Sequence, residues 1–142
     1  MKKTKVGIVG GGRFGMTLAQ SLASNGVDVT LVDTDWNVVQ SLADSPIRAL
    51  QGDATNPVVL RDADFGSCDI AVVAIGSALE ASTLATINCK DLKIPRVVAK
   101  AGSALHGRVA IRRPELYGNC RASLHWQPLQ RRAWRRMGGG DD

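Results

Sequence analysis

The chain of 142 residues has little of several things that would direct its reading elsewhere. It has three cysteines, Cys68, Cys89 and Cys120, an odd number with no CxxC spacing, which argues against a disulfide framework or a zinc site. Cys68 and Cys89 read as buried, inert thiols. Its two histidines, His106 and His125, have no ligand-spaced partners, so no metal is expected. No apolar run reaches the roughly 18–20 residues of a membrane-spanning helix. The start, "MKKTKVGIVGGG", has lysines before a short apolar run, but the run breaks on glycines and no small-residue cleavage site follows. A cytoplasmic location without direct membrane insertion is expected. A basic face is also lacking. Residues 1–108 carry 11 Lys+Arg and 10 Asp+Glu, and the formal charge of +5 arises mostly from residues 109–142, with 7 Arg and 3 acids. Nucleic acid is therefore not an expected partner of the first part of the chain.

What is present alternates two periods. "KVGIVG", "VDVTLVD", "IRALQGD", "CDIAVVAIG" and "PRVVAKAG" read as strands. The fourth is apolar throughout, as a strand covered on both faces should be. Between them lie "GRFGMTLAQSLASNG", with Leu18, Ala19 and Leu22 on one face and Gly26 as its stop, and "TDWNVVQSLAD", capped by Thr34 or Asp35. The shorter "NPVVLRDAD" follows, with Pro57 at a first helical position, and then "SALEASTLATINCKDL". Trp36, a lone aromatic, is expected to pack at the second helix. Strands separated by helices imply right-handed crossovers and a fold of the α/β class, a Rossmann-like doubly wound parallel sheet with helices on both faces. The expected division is a nucleotide-binding domain over residues 1–108 and an atypical tail over 109–142.

The opening "KVGIVGGGRFG" supplies the chemistry. In such a sheet ligands bind beyond the carboxyl ends of the strands, where strand order reverses. Gly10 allows the tight turn, Gly12 lets a diphosphate approach the backbone, and Gly15 lets the helix pack closely. Asp33 ends the second strand where a ribose-binding acid belongs, and a carboxylate there repels a 2′-phosphate, which disfavours NADP. Arg13 is either a phosphate ligand, better placed for a triphosphate than for a diphosphate, or a solvated cation set against the helix dipole.

The order and spacing of "GGGRFG", "LVDTD", "QGDAT" and "AIGSALEASTLATINCKDLKIPRVVAKA" resemble the RCK, or TrkA-N, domain of Trk/Ktr-type potassium uptake regulatory subunits and ligand-gated potassium channels, from about Lys5 to Arg108. The resemblance implies a regulatory subunit rather than an enzyme, in which NAD(H), ATP, ADP or AMP shifts the conformation of a dimer or ring beneath a membrane-embedded potassium transporter or channel subunit. It implies that Gly10, Gly12, Arg13, Phe14 and Gly15 form the phosphate loop, and that Asp33 holds the adenosine ribose with Thr34 and Asp35 nearby. Asp53, Ala54 and Thr55 would border the adenine, or else form a capped turn only. Ala74, Ile75 and Gly76 would pass under the nucleotide. Glu80 and Lys100 would lie near the phosphates, Lys100 alternatively as a solvated strand end.

The tail departs from the family pattern: Pro114 interrupts the expected helix, and "RRAWRRM" follows with no sustained amphipathic period. An out-of-frame product, a genuine short extension and a functional basic segment all remain open. An NAD-dependent oxidoreductase, or a fragment of one, is the alternative function, although no dehydrogenase motif or substrate domain accompanies the glycine pattern.

Overall fold

The computed structural model describes residues 3–75, 79–100 and 121–123. Among the described residues, six strands form one parallel sheet: β1 (Lys5–Val9), β2 (Asp28–Asp33), β3 (Arg48–Gln51), β4 (Ile70–Val73), β5 (Arg96–Lys100) and β6 (Arg121–Ser123). Their order is β3-β2-β1-β4-β5-β6. The chain thus runs outward from β1 to β3, returns to the other side of β1, and continues to β6. The reversal lies between β1 and β4, where a doubly wound sheet opens a crevice at its carboxyl edge.

Among the described residues, four helices lie between the strands: α1 (Arg13–Ser24), α2 (Trp36–Ser41), α3 (Pro57–Asp62) and α4 (Leu79–Asp91), with one 3-10 turn at Phe65–Ser67. The alternation of side chains along each strand divides the core into two layers. Val6 and Ile8 of β1 pack with Leu18, Ala19 and Leu22 of α1 and with Leu42 beyond α2. Val9, with Val73, Val97 and Ala99, packs with Leu60 of α3, Phe65, and Ala85 and Cys89 of α4. β4 is buried at all four positions, as its unbroken apolar run requires. Gly7 is needed in β1 because a Cβ there would meet the fully buried Phe65 ring at 2.7–2.9 Å.

The helix signals act as read. Gly26 stops α1 at φ +81°, Asp35 rather than Thr34 caps α2, and Pro57 opens α3 behind Asn56. Cys68 and Cys89 are buried, and burial first, then the nearby Asp64 carboxylate, pushes the Cys68 thiol up to about 11. Two features were not anticipated. β6 pairs in parallel with β5, Val98 opposite Arg121, from within the segment read as a tail. Trp36 does not pack at α2. It is 55% exposed, because a six-residue helix buries one stripe and Val39 occupies it. Cys120, His106 and His125 lie outside the described residues, as does most of the tail. Among the described residues no helix is long and apolar enough to cross a membrane, and no group of His, Cys, Asp and Glu could hold a metal ion.

Candidate functional site

β1 delivers the chain to the crevice through Gly10, whose N–H still donates to Val32 O at 2.8 Å. Gly10 turns at φ +100°, a conformation side chains rarely adopt, with the backbone of Ala74 and the Ile75 side chain packed beside it. The next residue, Gly11, lies between Gly10 and Gly12, and the glycine pattern assigns it no part. Its N–H donates to Asp33 Oδ2 at 2.5 Å. A Cβ on it would collide with Val38 Cγ1, so α2 closes over it. The run of three glycines was the available signal.

Gly12 is the N-cap of α1 and offers no capping side chain, whereas Asp35 and Asn56 cap α2 and α3 through their side-chain oxygens. The first turn of α1 contains no acid. Among the described residues, no heavy atom beyond Gly12 and its chain neighbours lies within 4 Å of where a Cβ on Gly12 would stand. The mouth of α1 therefore combines, among the described residues, open space beside Gly12, an N-cap with no side chain of its own and the positive end of a helix dipole. That is the arrangement a phosphate fits. Gly15 is the opposite case, since a Cβ there would overlap the Gly10 carbonyl oxygen. Arg13, the first residue of α1, is exposed.

On the β2 side, Asp33 is held at both oxygens, Oδ2 by Gly11 and Oδ1 by the Asp35 N–H at 2.7 Å. Each carboxylate oxygen retains acceptor capacity, so the group is oriented without being used up. Asp35 also accepts from the Asn37 N–H at 2.9 Å, and Gln51 Nε2 donates to Thr34 O at 3.3 Å. On the β5 side, Lys100 Nζ lies 5.5 Å from the centroid of the Phe14 ring, within cation–π range. These two residues, 86 positions apart in the sequence, meet where α1 begins.

After β3, Thr55 donates to Asp53 Oδ1 twice, from its hydroxyl at 2.7 Å and its N–H at 3.0 Å. Ala54 is buried, and its carbonyl accepts from Asn88 Nδ2 of α4 at 2.9 Å. The turn is thus both a capped turn and a rigid edge next to β2. The Thr55 hydroxyl, and then its N–H, hold the Asp53 carboxyl below its usual range. The charged form therefore favours the fold above the ordinary aspartate pKa, about 3.9, and this contribution is lost as pH falls through the lower folded value. The effect is small because Asp53 is exposed. Thr55→Val is expected to raise the Asp53 midpoint in a carboxyl NMR titration; an unchanged midpoint would exclude the hydroxyl as the cause.

The structure therefore gathers Gly10, Gly12, Arg13, Phe14, Gly15, Asp33, Thr34, Asp35, Ala74, Ile75 and Lys100 along one carboxyl edge, with Asp53, Ala54 and Thr55 beyond β3. Glu80 is exposed in the first turn of α4. Gly76 lies outside the described residues.

Comparison with known proteins identifies the family of the chain. The family model of the TrkA-N domain matches residues 6–113. Ktr system potassium uptake protein C of Bacillus subtilis is 33% identical over 107 residues, 75% of this chain and 48% of that protein. The Trk system potassium uptake protein TrkA homolog of Methanothermobacter thermautotrophicus is 33% identical over 100 residues, 70% of this chain and 46% of that protein. The chain spans about half the length of the curated relatives it matches. The fold is shared with the TrkA-N domain of the inner membrane protein ybaL from Escherichia coli, at a TM-score of 0.75 and 16% identity, covering 95% of this chain and 97% of that one. It is shared too with the GsuK channel bound to NAD, at a TM-score of 0.72 and 16% identity, covering 95% of this chain and 23% of the channel chain. By its sequence over residues 6–113, and by the sheet order and glycine loop built from it, the chain belongs to the TrkA-N domain family.

Proposed function

We propose that this domain is a regulatory module that binds an adenine nucleotide or NAD(H) and acts on a membrane-embedded potassium transporter or channel subunit, as a dimer or a ring of its own copies. The observation that carries the reading is the mouth of α1. Among the described residues, Gly12 stands in open space there, at an N-cap with no capping side chain, while Asp33 is held in place by Gly11 and Asp35. The loop would take the phosphates, Arg13 would add charge-assisted bonds to the outermost one, and Asp33 would accept from the ribose hydroxyls. A 2′-phosphate would face the Asp33 carboxylate, so NADP is disfavoured. Support for the potassium assignment comes from the relatives named as potassium uptake proteins. Support for nucleotide binding comes from solved structures of the same fold described as bound to NAD, ADP and AMP. Such a module works by differential affinity. A ligand moves the assembly only as far as it binds one state better than the other, and Arg13 would distinguish ligands by the number of their phosphates.

The test is calorimetric titration with ATP, ADP, AMP, NAD⁺, NADH and NADPH, repeated on Arg13→Ala. The expected result is binding of at least one ligand lacking a 2′-phosphate. Arg13→Ala should weaken ATP by about 1.5–3 kcal/mol, the value of a charged hydrogen bond, and AMP by much less. Tightest binding of NADPH, or no binding at all, would overturn the reading.

A further inference from the structure

Trp36 is the most exposed of the large apolar side chains among the described residues. A single exposed indole carries no argument by itself; its position does. Trp36 is the first residue of α2, and the turn that holds it is tied down at three points. The Asp35 N–H donates to Asp33 Oδ1, the Asn37 N–H donates to Asp35 Oδ1, and Gln51 Nε2 donates to Thr34 O. The indole is therefore presented from a stiff turn three residues beyond the acid proposed to hold the ribose.

The strand order gives the direction of the ligand. With phosphates at the mouth of α1, beyond β1, and the ribose at the end of β2, the nucleoside runs from β1 toward β2. The base then lies farther along the same line, between the start of α2 and the Asp53–Thr55 turn that follows β3. At that edge α2 begins with the exposed Trp36, and the polar turn on the other side is fixed by Thr55 and by Asn88.

We propose that Trp36 stacks on the adenine base of the bound nucleotide and so supplies affinity common to every adenine ligand, whatever its phosphate count. The proposal rests on the nucleotide site proposed above. It gives the site a division of work in which Trp36 sets how tightly adenine nucleotides bind as a class, and Arg13 sets which of them binds best.

The experiment follows tryptophan emission of the full chain during titration with AMP and ATP, in the wild type and in Trp36→Phe. Calorimetry on Trp36→Ala runs in parallel. The expected result is an emission change at saturation in the wild type that disappears in Trp36→Phe, although Trp36→Phe still binds. Trp36→Ala should weaken AMP, ADP and ATP by one common factor of about ten, in the range of base–aromatic stacking. Arg13→Ala, by contrast, acts mainly on ATP. If AMP binds the wild type and Trp36→Ala equally, the stacking proposal is overturned while the nucleotide site stands. If the wild type binds no adenine nucleotide, both fall. Should Trp36→Ala not fold, the Trp36→Phe emission decides, because an emission change that persists in it also overturns the proposal.

Discussion

Gly15→Ala is expected to destabilise the domain by at least about 2 kcal/mol net, a fall in Tm of roughly 6–8 °C at this chain length. Helix propensity alone gives the opposite sign, since alanine in a helix is favoured over glycine by about 1 kcal/mol. The close approach decides between them. A Cβ on Gly15 would overlap the Gly10 carbonyl oxygen, with the Ala74 Cβ next at 3.4 Å. Neither neighbour can retreat, because the Gly10 N–H is bonded to Val32 O at 2.8 Å and the Ala74 N–H to Val9 O at 2.7 Å. The helix must lift instead, and with it Leu18, Ala19 and Leu22 leave the sheet. Thermal and urea unfolding measure the change. Equal stability of the two proteins would show that α1 does not approach β1 this closely.

Gly12→Ala, three residues earlier, is expected to do the reverse. Among the described residues, no atom beyond Gly12 and its chain neighbours lies within 4 Å of the new methyl group, and φ −70° with ψ −169° is open to any residue. The weaker N-cap and the smaller entropy of the unfolded chain nearly offset each other, so stability should change by no more than about 0.5 kcal/mol. The methyl group would, however, fill the space in which a phosphate could reach the backbone. Loss of a charged hydrogen bond there corresponds to at least about a tenfold weakening of adenine nucleotides. Unchanged binding would remove the phosphate from this loop. A large loss of stability would show that the space is not open. Together the two substitutions separate a glycine required by the fold from one required by the proposed ligand, within a single motif.

The unfolding comparison applies whatever the ligand proves to be, because the contact between α1 and β1 is internal to the domain. The binding comparison bears on the proposed function, and it complements Arg13→Ala. Arg13 would discriminate between ligands by phosphate number, whereas Gly12→Ala should affect all of them.

Much of this domain was legible in the order of its residues. The alternation of short apolar runs with amphipathic segments identified five strands and four helices, because periods of two and 3.6 are local properties that neighbouring residues impose on one another. Gly10, Gly12, Gly15 and Asp33 stood out for the same reason, since a turn, an open approach and a strand end are readable over a few positions. What tertiary structure alone decided depends on residues far apart in the chain. Strand order brings β1 beside β4 and so creates the crevice. Packing of Val38 makes Gly11 obligatory and lets it clamp Asp33 from 22 residues away. Lys100 reaches Phe14, Asn88 fixes Ala54 across 34 residues, and Arg121–Ser123 adds a sixth strand beside β5. Trp36 was misjudged because burial depends on how much of a short helix faces the sheet, which hydrophobicity does not report. Local periodicity thus determined the elements and the motif, while chain crossings determined which side chains meet.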